Sequence, residues 1–118
     1  MCFPLPLRLE YVSGRTFRLT APFEYEGCGI WVCVPAGSLT DFASIPRILH
    51  ALIDPFGPYA KAAVVHDFMY RTGCRSRAVA DAIFLEGMIK CGVPNWQRQL
   101  IYLSVRLFGW MSYQKAPE

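Results

Sequence analysis

The sequence lacks the features of a membrane-spanning or secreted chain. Its longest uncharged run, GCGIWVCVPAGSLT, is interrupted by glycines and a proline, and a spanning helix needs about 20 consecutive apolar residues. The N-terminus, MCFPLPLRLE, has two prolines and an early arginine but no cleavage signature of a signal peptide. These absences predict a chain without a transmembrane segment that folds in a cytoplasm.

Paired cysteine motifs and a dense basic patch are also absent. The five cysteines are an odd number and form no CxxC, and the spacing of Cys28 and Cys33 matches no common zinc site. We therefore expect free, mostly buried thiols. The net charge is only +3, which argues against specific nucleic-acid binding. The one basic cluster, RTGCRSR (71–77), predicts a local rim in which Arg71 and Arg77 are candidate binding residues.

What the sequence does have is enough apolar residues for one compact domain, residues 1–118. Hydrophobic residues make up 53% of the chain, which excludes a disordered protein. The spacing of apolar residues along the sequence changes once, near residue 45, from strand-like to helical. Strands followed by helices predict an α+β fold.

The first part of the chain predicts a small antiparallel sheet of about four strands. The segments alternate or are rich in β-branched and aromatic residues, and turn residues separate them. They are LRLEYV (7–12), RTFRLT (15–20), PFEYE (22–26) and GIWVCVP (29–35). A loop over 36–49 follows, ending in a short helical piece that begins near Pro46.

The second part predicts three helices. The first runs from Gly57–Pro58 to about Thr72, the second from a Ser76 cap to about Lys90, and the third from an Asn95 cap to about Phe108. In the third helix an apolar row recurs at helical spacing, which predicts that this helix is largely buried or contacts a partner. The row consists of Trp96, Leu100, Leu103 and Leu107.

Three acidic or imidazole side chains stand among apolar residues of the first two helices. His66 lies five residues before Arg71 and Asp81 lies five residues after Ser76, so in an antiparallel hairpin the two are level. Asp67 is turned by about 100° from His66. It therefore serves a different group: a metal ion, the loop around Asp41, or Arg71.

This arrangement has a chemical and a structural interpretation. A neutral imidazole held by Asp81 could deprotonate a water molecule in a pocket at His66. Asp67, with backbone carbonyls, could hold a hard divalent cation such as calcium. The same His–Asp pair could instead only fix the register of two buried helices.

The motif TDFASIPR (40–47) also has two interpretations. Asp41 and Ser44 could line the pocket, with Asp41 as a second metal ligand and Ser44 completing a triad with His66 and Asp81. No GxSxG elbow surrounds Ser44. Capping of the loop and of the following helix is therefore the favoured interpretation.

Four motifs together resemble a domain-of-unknown-function family that is encoded mainly by tailed bacteriophages and prophages. The resemblance covers about residues 5–110 and implies a virion-associated role near tail and lysis functions. The motifs are TDFASIPR (40–47), AAVVHDFMY (62–70), SRAVADAIFLEGM (76–88) and RLFGW (106–110).

A second, local resemblance links HDFMYR (66–71) and the later Asp81 to the prokaryotic secreted phospholipases of the His–Asp type. It implies that His66 is a general base, that Asp67 binds calcium and that Asp81 orients His66; Tyr70 belongs to the same motif as a candidate binding residue. Val65 precedes His66 here, where that family has a cysteine.

Three functions follow from these observations. The first is a virion-associated protein at the tail tip or baseplate, or in tail assembly, which carries a hydrolase-like His–Asp site and has other tail proteins as partners. The second is a small phage hydrolase that acts on lipid or peptidoglycan of the bacterial envelope with His66 as base. The third is a protein that binds a host factor inside the cell. The expected location is therefore the virion or the host cytoplasm.

Overall fold

The computed structural model describes residues 3–14, 16–27, 29–40 and 59–108. Within these ranges five strands precede three helices, and the predicted α+β class is confirmed. The elements are β1 (Leu9–Ser13), β2 (Thr16–Leu19), β3 (Phe23–Gly27), β4 (Ile30–Val34), β5 (Leu39–Thr40), α1 (Ala60–Thr72), α2 (Arg77–Lys90) and α3 (Asn95–Phe108).

The strands form two small antiparallel sheets, where the sequence had predicted one run of about four. One sheet has the order β1-β2-β5 and the other pairs β3 with β4. The reason is the pairing of Phe17 in β2 with Thr40 in β5. Because β1 occupies the other edge of β2, no edge of β2 is left for β3. A two-residue strand such as β5 shows too little alternation to be found from sequence.

The start of α2 follows the chemistry that the sequence predicted, and α1 ends at the predicted residue, whereas Asn95 lies within α3 as its first residue. The side chain of Ser76 accepts a hydrogen bond from the backbone N–H of Val79 at the start of α2. Helix α1 ends at Thr72, and the next residue, Gly73, adopts a left-handed conformation with φ 65°. The predicted start of the first helix, at residues 57–58, lies outside the described residues.

Helices α1 and α2 approach each other closely at a site of small residues. Ala62 and Ala63 of α1 are buried. Across from them, a Cβ added at Gly87 would lie 2.9 Å from the Cβ of Ala62, closer than real carbon contacts. The absence of a side chain at Gly87 therefore allows the hairpin to close and brings the facing polar residues within bonding distance.

Two of the simpler expectations can be compared with the structure. None of the described helices is long and apolar enough to cross a bilayer. The thiols are more exposed than predicted: Cys33 and Cys91 are half-buried and Cys74 is exposed. Cys2 and Cys28 lie outside the described residues.

Candidate functional site

The α1–α2 hairpin brings His66 and Asp81 together, as the residue count predicted. The Nε2 atom of His66 lies 2.8 Å from Oδ1 of Asp81. The two residues are 1% and 0% exposed. A buried carboxylate needs compensating donors, and the imidazole is the first of them.

Two more donors complete the environment of Asp81. The hydroxyl of Tyr70 donates to Oδ1 at 2.5 Å, and Nη1 of Arg106 donates to Oδ2 at 2.7 Å. Tyr70 is on α1, one turn beyond His66, and Arg106 is on α3. The carboxylate on α2 is therefore held by side chains from both neighbouring helices.

These contacts fix the ionisation of the network. Burial alone would raise the pKa of Asp81, but the hydrogen bonds from His66 and Tyr70, the electrostatic interaction with His66 and the hydrogen bond from Arg106 lower it below its usual value. Burial, followed by the hydrogen bond to Asp81, raises the pKa of Tyr70 above its usual value. Asp81 is therefore an anion at neutral pH and Tyr70 a protonated donor.

The second ring nitrogen of His66, Nδ1, is in a different environment from Nε2. A carboxylate can only accept, so Nε2 of His66 donates to Asp81. Among the described residues, the buried Nδ1 atom has no hydrogen-bond partner. In the neutral ring this nitrogen holds a lone pair. The ring packs against Phe84, with centroids 4.4 Å apart and planes inclined by 26°, so its orientation is fixed by both packing and hydrogen bonding.

Arg77, a predicted binding residue of the basic rim, contacts Tyr70 and the end of α3. Its Nε donates to the hydroxyl of Tyr70 at 3.2 Å. Its Nη2 donates to the carbonyl oxygens of Val105, at 2.6 Å, and Arg106. These carbonyls are at the end of α3, where helical partners are missing. Arg77 thus stabilises the helix end that presents Arg106 to Asp81.

Asp67 faces away from this network, as its 100° rotation predicted. It is 5% exposed, and its Oδ1 accepts from Nε of Arg71 at 3.0 Å, the predicted i+4 partner. A calcium ion needs about 6–8 oxygen ligands. The described part of the chain contains no group of three or more His, Cys, Asp or Glu side chains that could hold a metal ion. The calcium site at Asp67 stays a prediction, because its proposed second ligand, Asp41, lies outside the described residues.

Some predicted site residues are not tested by this geometry. Asp41 and Ser44 lie outside the described residues, so the triad and the second metal ligand stay predictions. A described cavity of about 320 Å³ is on another side of α1 from His66. It is lined by Trp31, Val32, Cys33, Phe68, Cys74 and Arg75.

Sequence reasoning missed Arg106. Arg106 was not among the predicted site residues, because the docking of α3 on α2 cannot be derived by counting residues along the chain. One signal was available: Arg106 lies one residue after the buried Val105, one turn after the half-buried Tyr102 and two turns after the half-buried Arg98. A long cation bordering a buried face is a suitable partner for a buried carboxylate.

The fold and the site define a small α+β protein with a buried histidine–aspartate network between three helices. Residues 17–105 match the family described as "Protein of unknown function (DUF1353)", and the chain belongs to this family. The predicted membership in a domain-of-unknown-function family is thus confirmed.

A curated relative is consistent with this membership. The chain is 35% identical over 96 residues to "Uncharacterized protein y4jT" of Sinorhizobium fredii (strain NBRC 101917 / NGR234). The match covers 79% of this chain and 29% of that protein. The chain therefore corresponds to less than a third of the relative. No solved structure matches the chain.

Proposed function

We propose that the chain is a small hydrolase in which Nδ1 of His66 is the general base, acting on an ester or amide bond of the bacterial envelope, in lipid or peptidoglycan. The observation that supports this most is the asymmetry of the His66 ring. Nε2 is bound to Asp81 at 2.8 Å, whereas Nδ1 is buried without a partner among the described residues. Buried polar atoms are nearly always paired, so an unpaired one calls for an explanation such as catalysis.

The network suits this role. Nδ1 would accept a proton from a water molecule while the oxygen of that water attacks the carbonyl carbon of the scissile bond. The imidazolium would then give the same proton to the leaving alcohol or amine. Asp81 stabilises the resulting imidazolium and keeps Nε2 as the donor. Tyr70 and Arg106 hold Asp81 as an anion, so it is a positioning residue. Because the ring is 1% exposed, water and substrate would reach Nδ1 only when the helices around it open.

The competing explanation is that the pair only fixes the register of α1 and α2. The substitution His66→Gln separates the two explanations. The glutamine amide can still donate to Asp81 at the position of Nε2, but it has no basic nitrogen. If the pair only fixes the register of the helices, the variant should keep the properties of the wild type. If His66 is the base, the variant should lose hydrolysis.

The test is hydrolysis by the purified full chain of two substrates, phospholipid vesicles and purified peptidoglycan, each assayed for released product. We expect turnover of one of them by the wild type and its loss in His66→Gln, with thermal unfolding of the variant close to that of the wild type. The matched control is Gln99→Asn on the exposed part of α3, which should retain activity. If the wild type releases product from neither substrate, or His66→Gln remains fully active, the base assignment is wrong.

We propose, as a second role, that the chain is a phage-encoded virion component at the tail tip or baseplate, or in tail assembly. The resemblance to a phage-encoded family supports this, and so does the exposed apolar row of α3, which has the composition of an interface. Mass spectrometry of purified virions of a phage that encodes the chain should detect it at a fixed ratio to the tail proteins. Its absence from virions and its recovery from lysate with a host protein would favour the intracellular host-factor role instead.

A further inference from the structure

Helix α3 exposes four large apolar side chains in one row. Trp96 is 52%, Leu100 38%, Leu103 55% and Leu107 56% exposed. The sequence predicted that this helix is buried or contacts a partner, and its opposite side is indeed buried, at Ile101 and Val105. The outward row remains open to solvent, and contiguous apolar patches of this kind are often functional.

The spacing of the row is that of a helix-pairing seam. The intervals between successive members are four, three and four residues, which is the alternation of the two core positions in a heptad repeat. The row is also symmetric about its own midpoint, between residues 101 and 102. An antiparallel helix of the same sequence would place Trp96 opposite Leu107 and Leu100 opposite Leu103.

From this symmetry we infer that α3 pairs with α3 of a second copy of this chain, antiparallel and about a two-fold axis. An interface of this kind uses the same patch on both partners, and the self-complementary row meets that requirement. The inference concerns a surface away from Nδ1 of His66 and does not depend on hydrolysis.

The charges beside the row permit this pairing. Its immediate neighbours on the helix are neutral at Gln97, Gln99 and Ser104. The one charged neighbour is Arg106, whose guanidinium is already paired with Asp81. Along α3, therefore, the row itself brings no unpaired like charges together.

The area of the row indicates how strong the pairing is. The exposed parts of one tryptophan and three leucines amount to roughly 400 Å² for each copy, on the scale of the largest patches of ordinary monomers. A standard stable interface buries about 800 Å² on each partner. We therefore expect a reversible dimer that forms as the protein concentration rises through the micromolar range.

The experiment is sedimentation equilibrium of the full chain over a wide concentration range, with Leu103→Glu as the test variant. Each dimer would contain the new carboxylate twice, opposite Leu100, so the dimer dissociation constant should rise about 100-fold or more. The control is Ile89→Glu on α2, because Ile89 is 50% exposed and lies outside the row. Its dissociation constant should match that of the wild type.

A second variant tests the antiparallel arrangement. In Leu100→Lys combined with Leu103→Glu, each new cation faces a new anion of the other copy, so dimerisation should recover relative to Leu103→Glu alone. A wild type that stays monomeric at all concentrations overturns the inference. So does a dimer that Leu103→Glu leaves intact. Flotation of a monomeric wild type with phosphatidylglycerol vesicles would assign the row to a lipid surface and would also overturn it.

Discussion

Replacing Asp81 with alanine is expected to lower the free energy of unfolding by about 3–5 kcal/mol. The side chain is 0% exposed and accepts from His66, Tyr70 and Arg106. Without the carboxylate, the two buried donors on His66 and Tyr70 lose this acceptor, and losing the acceptor of a buried donor costs more than the hydrogen bond itself contributes. Urea unfolding of the variant and the wild type at neutral pH measures the difference.

Two controls accompany this measurement. Arg106→Met removes the most exposed of the three donors and should cost less than Asp81→Ala, since the Arg106 side chain is 37% exposed and water can screen its charge. The second control is the same measurement at acidic pH. The network lowers the pKa of Asp81 in the folded state, so its stabilisation is fully present above the unfolded pKa of about 3.9 and is lost as the pH falls through the folded value. The free energy of unfolding of Asp81→Ala should therefore fall less than that of the wild type as the pH is lowered. A loss below about 1 kcal/mol in Asp81→Ala would contradict the network.

Replacing Phe84 with alanine is the second change with a large expected effect, again about 3–5 kcal/mol of unfolding free energy. Phe84 is 0% exposed, and its ring stacks on His66 with centroids 4.4 Å apart. The truncation removes buried apolar surface and leaves a cavity beside the imidazole. The same urea titration gives the value.

The matched control is on the same helix. Ile89→Ala removes an apolar side chain that is 50% exposed, so its effect should stay within about 0.5 kcal/mol. Phe84→Leu should fall between the two, because leucine refills part of the cavity. If Phe84→Ala were no more destabilising than Ile89→Ala, the described packing around His66 would be wrong.

The parts of this structure that depend on local chemistry could be predicted from the sequence. The ends of the helices follow from residues such as Ser76 and Gly73, whose effects act within one turn. The pairing of His66 with Asp81 follows from counting residues from a turn, because two helices joined by a short turn have to run side by side. The catalytic role of that pair is not a matter of counting and stays a proposal.

The parts that depend on long-range pairing could not be predicted. The division of the strands into two sheets depends on β5, which contributes two residues to a pairing distant in sequence. The contact of Arg106 with Asp81 depends on how α3 docks on α2. The apolar periodicity of α3 is similar on both of its sides, so it could not show that Ile101 and Val105 face inward while Leu103 faces solvent.

The order in which the network closes during folding follows from the sequence separations of its contacts. Tyr70 and His66 are 11 and 15 residues from Asp81, whereas Arg106 is 25 residues away. Short loops close at a lower entropic cost and local contacts form fastest. We expect the helical hairpin to bring the imidazole, phenol and carboxylate together first, and the guanidinium of Arg106 to join them when α3 docks. In the hairpin alone the buried carboxylate would lack this positive partner, so we expect docking of α3 to stabilise the network.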